Sequence, residues 1–390
     1  MNAFLRRAFQ KIMFVGSYAL PWREPKILHS NADLINLLKD KNIHSVLLVT
    51  DPTISQLGLT QSLQDALAEG RIDVGVYDKT VANPTIDNVE EALELYKRFG
   101  AQAVIGFGGG SSIDCAKGVA ARVARPKKSV LQMKGLFKIL RRTPLTVAVP
   151  TTSGTGSETT VAAVITDAKT HHKYPINDIS LVPHYALLDP SLTIGLPPFV
   201  TATTGMDAMT HAVEAYIGHS NTRKTAEAAR DATQLIFENL ERAYVEGSDA
   251  AARSNMQHAS YLAGVAFTRA YVGNVHAISH AISGMYGLAH GLTNAVALPL
   301  ILDYYVARGK AIKPLDELAQ LVGLKDARSF IDEVYVMNER MGIPRTLEGL
   351  LEKDYDFLAT AACKEANPLY PVPVIFNKSD FTEILKELAG

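Results

Sequence analysis

Cysteine is almost missing from this 390-residue chain, which has only Cys115 and Cys363. Two thiols so far apart make neither a disulfide framework nor a thiolate zinc site, and they fit a reducing, cytoplasmic setting. Excess charge of either sign is missing as well. Lys and Arg total 39 against 40 Asp and Glu, a net charge of −1. No global field draws in nucleic acid or an anionic membrane, so the expected partner is a small molecule. Internal repeats and low-complexity tracts are also lacking. From Met1 to Trp22 there is no acidic residue, while Arg6, Arg7 and Lys11 are basic, a composition shared with some import peptides. The apolar run from Ile12 to Leu20 is broken by Gly16 and Ser17, is too short for a bilayer and precedes no small-residue cleavage pattern. The segment therefore reads as an N-terminal arm.

The chain does have length enough for roughly two domains. Its first half alternates β-branched runs with amphipathic stretches: HSVLLVT, TISQLGLTQSLQDALAEG, RIDVGVYD, TIDNVEEALELYKRFG, AQAVIGFGGG. Such alternation predicts βαβ units and a parallel sheet. PLTVAVP adds a strand that opens into TTSGTGSETT, and HYALLDP another. From Leu196 onward the texture turns Ala-rich and helical, as in TAEAARDATQLIFENLERAYVEG. The expected architecture is an α/β domain over 1–195 followed by an all-α domain over 196–390, with a ligand pocket between them.

AQAVIGFGGGSSIDCAKG reads as strand, glycine turn and helix, which would point the N–H groups of Gly108 to Ser112 outward as a phosphate site. Ser111 stands where the strict G-x-G-x-x-G fingerprint has its third glycine, and alone the run reads equally as a tight turn needing positive φ. Between Cys115 and Ser157 there is no acid, but Lys117, Arg122, Arg125, Lys127, Lys128, Lys134, Lys138, Arg141 and Arg142 are basic. The expectation is a local positive field beside two phosphate-friendly loops, and hence a diphosphate-bearing cofactor. A nucleic-acid patch would want interleaved aromatics, and only Phe137 is there. Asp51, just after HSVLLVT, reads either as an acid against ribose hydroxyls, favouring NAD over NADP, or as a cap before Pro52.

Asp207 and His211 are four residues apart in GMDAMTHAVEAY, which puts both on one helix face with Glu214 a turn further on. His276 and His280 repeat that spacing, and His290 follows in HAISHAISGMYGLAHG. Three imidazoles and a carboxylate form a donor set for Fe²⁺ or Zn²⁺. The reading makes a geometric demand, because a continuous helix would set His276 and His290 about 21 Å apart. The helix must break between them, and Gly284, Gly287 and Gly291 offer the place. His280 would face the same cavity, as a proton relay or as a packing residue. Glu214 is either a brace or a polar helix residue, and Phe267 and Tyr271 are either pocket walls or core.

GGGSSIDCAKG, PTTSGTGSE, GMDAMTHAVEAY and HAISHAISGMYGLAHG, together with TDPTI, VANPTIDNV and the pair Asn367 and Pro368, resemble in order the signatures of the iron-containing (group III) alcohol dehydrogenases. The resemblance spans nearly the whole chain and departs from the usual pattern before Leu28. It implies an N-terminal dinucleotide-binding α/β domain and an all-α C-terminal domain, the architecture shared with dehydroquinate synthase. Carried over, Asp207, His211, His276 and His290 are the metal ligands and His280 the additional active-site histidine. Asp51 and Asn83 match adenosine-side contacts, and Gly109, Gly110, Ser111 and Asp114 the pyrophosphate loop. Thr151, Thr152 and Thr155 match the second loop, and Lys173 a basic contact. The implied activity is reversible hydride transfer between a small alcohol and NAD at Fe²⁺, with Zn²⁺ the alternative ion, in a homodimer or higher homo-oligomer. Two other readings are an NAD- and metal-dependent lyase or cyclase of the dehydroquinate synthase type, and a non-catalytic metal-stabilised assembly protein. If Asp51 reads ribose, Asp51→Gly is expected to relax discrimination against NADP about tenfold, as ratios of kcat/KM would report. An unchanged ratio would leave only the capping role.

Overall fold

The β-branched runs of the first half become strands in a computed structural model that describes residues 3–17, 20–169 and 172–390. Two units divide the chain, Pro21–Thr193 and a helical unit from Ile194 to Gly390 that also takes in the N-terminal helix α1 (Ala3–Ser17). In the first unit the strands are β1 (Lys26–Leu28), β2 (Ser45–Val49), β3 (Asp73–Tyr77), β4 (Ala103–Gly108), β5 (Gly135–Leu136), β6 (Leu145–Pro150), β7 (Ala162–Asp167), β8 (His172–Asn177) and β9 (Tyr185–Leu187). Its helices are α2 (Asn31–Asp40), α3 (Pro52–Gln56), α4 (Gln61–Glu69), α5 (Ile86–Phe99) and α6 (Gly110–Ala124).

Six strands form one parallel sheet in the order β1-β9-β6-β4-β2-β3. Successive side chains on β2 go to opposite faces. Leu47 and Val49 meet Val89, Leu93 and Val119 of α5 and α6, while Val46 and Leu48 meet Leu34, Leu38, Leu63 and Leu67 of α2 and α4. Both faces are covered, which is why these strands read as near-continuous apolar runs, each fully buried Leu or Val contributing about 2 kcal/mol. The strand order reverses at the β2/β4 pair, where Val49 lies opposite Gly106. Asp51 and the glycine turn lie just past the carboxyl ends of these two strands, the position where open α/β sheets bind ligands.

A second sheet of β5, β8 and β7 was not expected from the sequence. Its strand HKYPIN mixes polar residues with a proline and shows no alternation to read. The expected positive field also changes. Lys117 is fully buried, Arg122 pairs with Glu90 at 2.6 Å, Arg125 donates to the Ile139 carbonyl and Lys128 to that of Lys138. These cations act as internal ties rather than as a free basic face.

The helical unit contains α7 (Pro198–Ile217), α8 (Arg223–Val245), α9 (Ala250–Ala270), α10 (Asn274–Tyr286), α11 (His290–Ala307), α12 (Ile312–Leu321), α13 (Ala327–Arg340), α14 (Tyr355–Ala366) and α15 (Lys378–Ala389). Helix α7 is buried on nearly all sides, and at Gly205 an added Cβ would lie 2.2 Å from Leu240 of α8. The N-terminal arm, expected with the α/β half, groups with this unit because its polar side faces inward. Arg7 donates to the Pro373 carbonyl, and Gln10 to those of Pro368 and Tyr370 at 3.0 and 2.6 Å. Phe4, Ile12 and Val15 consequently face solvent. Among the described residues, no helix is long and apolar enough to cross a membrane.

Lys117 is the most unusual core residue of the α/β unit. Its Nζ donates to Ser157 Oγ, Thr160 O, Thr160 Oγ1 and Ala162 O at 2.8 to 3.1 Å, and Asp114 lies 3.7 Å away. Burial draws its pKa down to about 8. Lys117→Met should remove these ties and leave Asp114 without its cation, costing about 3 kcal/mol. Urea unfolding measures this, and an unchanged midpoint would contradict the structural weight given to Lys117.

Candidate metal centre and nucleotide loops

Helix α7 presents Asp207 and His211 one turn apart, both buried. Helix α10 carries His276 and His280, and α11 opens on His290. The helix break demanded by the sequence is present: α10 ends at Tyr286, capped by Gly287 at φ +70°. The ring centroids of His276 and His290 are 5.4 Å apart as a result.

Helix α10 has no side-chain cap of its own at its N-terminus, and Glu214 of α7 fills that place. Its carboxylate accepts from Gly273 N at 2.7 Å, Val275 N at 2.8 Å and His276 N at 3.4 Å. The same carboxylate takes His276 Nδ1 at 2.7 Å. Glu214 is therefore a brace, and not merely a polar residue on the helix. A carboxylate accepting at Nδ1 makes that nitrogen the N–H donor and leaves the lone pair on Nε2. Burial pushes the Glu214 carboxyl up to about 7, against the three backbone N–H groups that pull it down. Burial also holds His276 well below the ordinary histidine range, reinforced by His211, His290 and His280.

Asp207, His276 and His290 offer ligand atoms that all lie within 4.8 Å of one another. Asp207 Oδ1 is 3.6 Å from His290 Nε2 and 4.0 Å from His276 Nε2. His211 stands against the same cluster, its ring stacked on His276 at 4.4 Å and on Phe267 at 4.0 Å. Phe267 thus acts as a wall behind a candidate ligand. His280 stacks on His290 at 4.7 Å. Sequence reasoning missed Asn294, whose Nδ2 lies 2.7 Å from Asp207 Oδ1, 3.0 Å from His290 Nε2 and 3.3 Å from His276 Nε2. Its place one turn past His290 was the available signal. Two imidazoles and a carboxylate gathered this closely are a donor set that fits a borderline divalent cation such as Fe²⁺ or Zn²⁺.

The α/β unit brings together the residues expected around a nucleotide. Asp51 caps α3 by accepting from Ile54 N at 3.0 Å through Oδ1, while Oδ2 accepts from Ser112 Oγ at 3.2 Å. Gly108 has φ +142° and Gly109 is the N-cap of α6. The second loop lies against this turn: Thr151 N donates to Gly108 O at 3.1 Å. A Cβ on Gly109 would lie 3.8 Å from Thr152, and one on Gly110 would lie 3.0 Å from Thr155. Asn83 donates its backbone N–H to Ser111 Oγ at 3.3 Å, and its Oδ1 accepts from Lys173 Nζ at 2.7 Å. Asp114, expected in the pyrophosphate loop, follows Gly110 and Ser111 on α6. Its oxygens accept from Ser157 Oγ at 2.6 Å and Val164 N at 2.9 Å, which makes it a brace between α6 and the second loop.

Comparison with known proteins accounts for both halves. Residues 27–190 match the iron-containing alcohol dehydrogenase model, and residues 201–389 match the C-terminal model of the Fe-containing alcohol dehydrogenase family. Alcohol dehydrogenase 4 of Saccharomyces cerevisiae is 38% identical over 364 residues, covering 92% of this chain and 94% of that protein. The NAD-dependent methanol dehydrogenase of Bacillus methanolicus is 34% identical, covering 85% and 90%. Among solved structures, the alcohol dehydrogenase from Oenococcus oeni superposes with a TM-score of 0.89 at 30% identity, covering 95% of this chain and all of that one (100%). The chain belongs to the iron-containing alcohol dehydrogenase family. It is accordingly a metal-dependent, NAD-linked oxidoreductase acting on small alcohols or aldehydes.

Gly291 provides a test of the geometry. A Cβ there would lie 2.3 Å from the Thr203 carbonyl oxygen and 3.4 Å from Asp207 Cβ, so α11 would have to move away from α7. Gly291→Ala is expected to cost about 2 kcal/mol and to separate His290 from Asp207. Elemental analysis should then find well under one metal per chain. Full metal occupancy in this variant would contradict the close approach.

Proposed function

We propose that the protein reversibly oxidises small primary or secondary alcohols to aldehydes or ketones, with NAD as hydride acceptor and Fe²⁺ held by Asp207, His211, His276 and His290. The observation that carries the reading is the convergence of Asp207, His276 and His290 ligand atoms within 4.8 Å, with His211 stacked alongside. Bound iron supplies Lewis acidity toward a hydroxyl or carbonyl oxygen, and bound nicotinamide supplies the hydride acceptor. Glu214 orients His276 through Nδ1, and Asn294 holds the Asp207 carboxylate. His280 takes the alcohol proton at Nε2, the nitrogen left without hydrogen when Nδ1 donates to Glu365.

In the other unit, Gly109, Gly110 and Ser111 at the start of α6 would receive the pyrophosphate, with Thr151, Thr152 and Thr155 opposite and Asn83 and Lys173 at the side. Asp51, beyond β2, supports NAD over NADP, since an acid there repels a 2′-phosphate. Zn²⁺ suits the same donor set, so metal availability would decide occupancy. The reading carries a cytoplasmic setting, supported by the free thiols Cys115 and Cys363. It also carries a homo-oligomer, supported by the outward Phe4, Ile12 and Val15 of α1; sedimentation as a strict monomer would remove that part.

Chelation should abolish NAD reduction by a panel of short alcohols and diols, and anaerobic Fe²⁺ should restore it. His276→Ala should lose both metal and turnover, by at least about a hundredfold in kcat/KM. Full activity in metal-free protein would end the proposal.

A further inference from the structure

Helix α10 carries two imidazoles one turn apart, and each meets a carboxylate at Nδ1. His276 meets Glu214 of α7, and His280 meets Glu365 of α14 at 2.6 Å. The packing of α10 along α14 creates the second pair. Glu365 Oε1 also accepts from the Tyr370 hydroxyl at 2.8 Å. Burial, followed by the Glu365 charge, raises the Tyr370 phenol well above its ordinary range, so it remains an O–H donor. With one donor already on Oε1, the oxygen acts as an acceptor and His280 Nδ1 as the N–H donor. The Tyr370 carbonyl in turn accepts from Gln10 of α1, which fixes the segment after α14.

We propose that Glu365 is a positioning residue for the reaction: held by Tyr370, it fixes the ring orientation and tautomer of His280, as Glu214 does for His276. The inference rests on the role given to His280 above. Glu365 touches neither substrate nor cofactor in this scheme. It acts by keeping the His280 ring stacked on His290 with Nδ1 occupied, so that Nε2 is the nitrogen free to accept. Without the carboxylate, the ring would sample both tautomers and rotate about its side-chain bonds.

The test uses iron-loaded full-length protein with one alcohol substrate and three variants: Glu365→Ala, Glu365→Gln and His280→Ala, plus the Glu365→Ala/His280→Ala double variant. Glu365→Ala should lower kcat about tenfold, with metal content unchanged and KM for the alcohol within about twofold. Glu365→Gln keeps an acceptor oxygen for Nδ1–H and should recover kcat to within about threefold of the parent. In the His280→Ala background, Glu365→Ala should have no further effect, because the group it positions is gone. A purely structural role would instead lower metal content or stability, and would add to the His280 change. If His280→Ala slows turnover but Glu365→Ala does not, the inference is overturned while the role of His280 stands. If His280→Ala leaves turnover intact, the underlying reading of His280 has failed. Additive effects in the double variant would place the action of Glu365 elsewhere and overturn the proposal.

Discussion

Glu214 does two jobs with one buried carboxylate, and the geometry of the metal cluster depends on both. It receives the N–H groups that start α10, and it receives Nδ1 of His276, the third residue of that helix. The backbone and the ligand are therefore set by the same pair of oxygens. The arrangement works only because Gly273 has no side chain, since a Cβ there would lie 2.5 Å from Glu214 Oε1. A charge held this deeply is unfavourable by itself, as the upward pressure on its pKa records. Hydrogen bonds to ordered donors, including a helix N-terminus, offset that penalty.

From this anchor the site extends through helix ends rather than loops. Gly287 stops α10 in the left-handed region, and α11 restarts at His290, so two short helices replace one long one. Asn294, a turn into α11, then spans from His290 back to Asp207 on α7. Rigid elements thus carry each candidate ligand, which keeps donor atoms in place ahead of the ion. In the α/β unit the equivalent constraint is the reversal of strand order at β2 and β4, which delivers Asp51 and the glycine turn to the carboxyl end of the sheet.

Much of this was readable in advance because it depends on local spacing. Four-residue intervals placed Asp207 with His211 and His276 with His280, and the distance argument required the break that Gly287 supplies. Five of the sheet's strands followed from apolar runs. What stayed hidden depends on tertiary packing. Glu365 is 85 residues from His280 in sequence and meets it only because α14 lies along α10. Lys117 sat in a basic stretch that reads as surface, since lysine is seldom fully buried, and its burial becomes intelligible only with Ser157, Thr160 and Ala162 around Nζ. Asp114 matched a signature, but its oxygens turn inward. A motif fixes a residue's neighbourhood more securely than its direction.

The Lys117 and Asp114 ties have a consequence for how this chain can be altered. They join α6, with the glycine turn at its head, to the loop from Thr151 to Thr160, so the turn and the loop are one unit of variation. Residues sharing a hydrogen-bond network do not respond independently to substitution. Substitutions in the turn or the loop therefore have to be designed with the other in view, because the hydrogen bonds of Lys117 and Asp114 reach both.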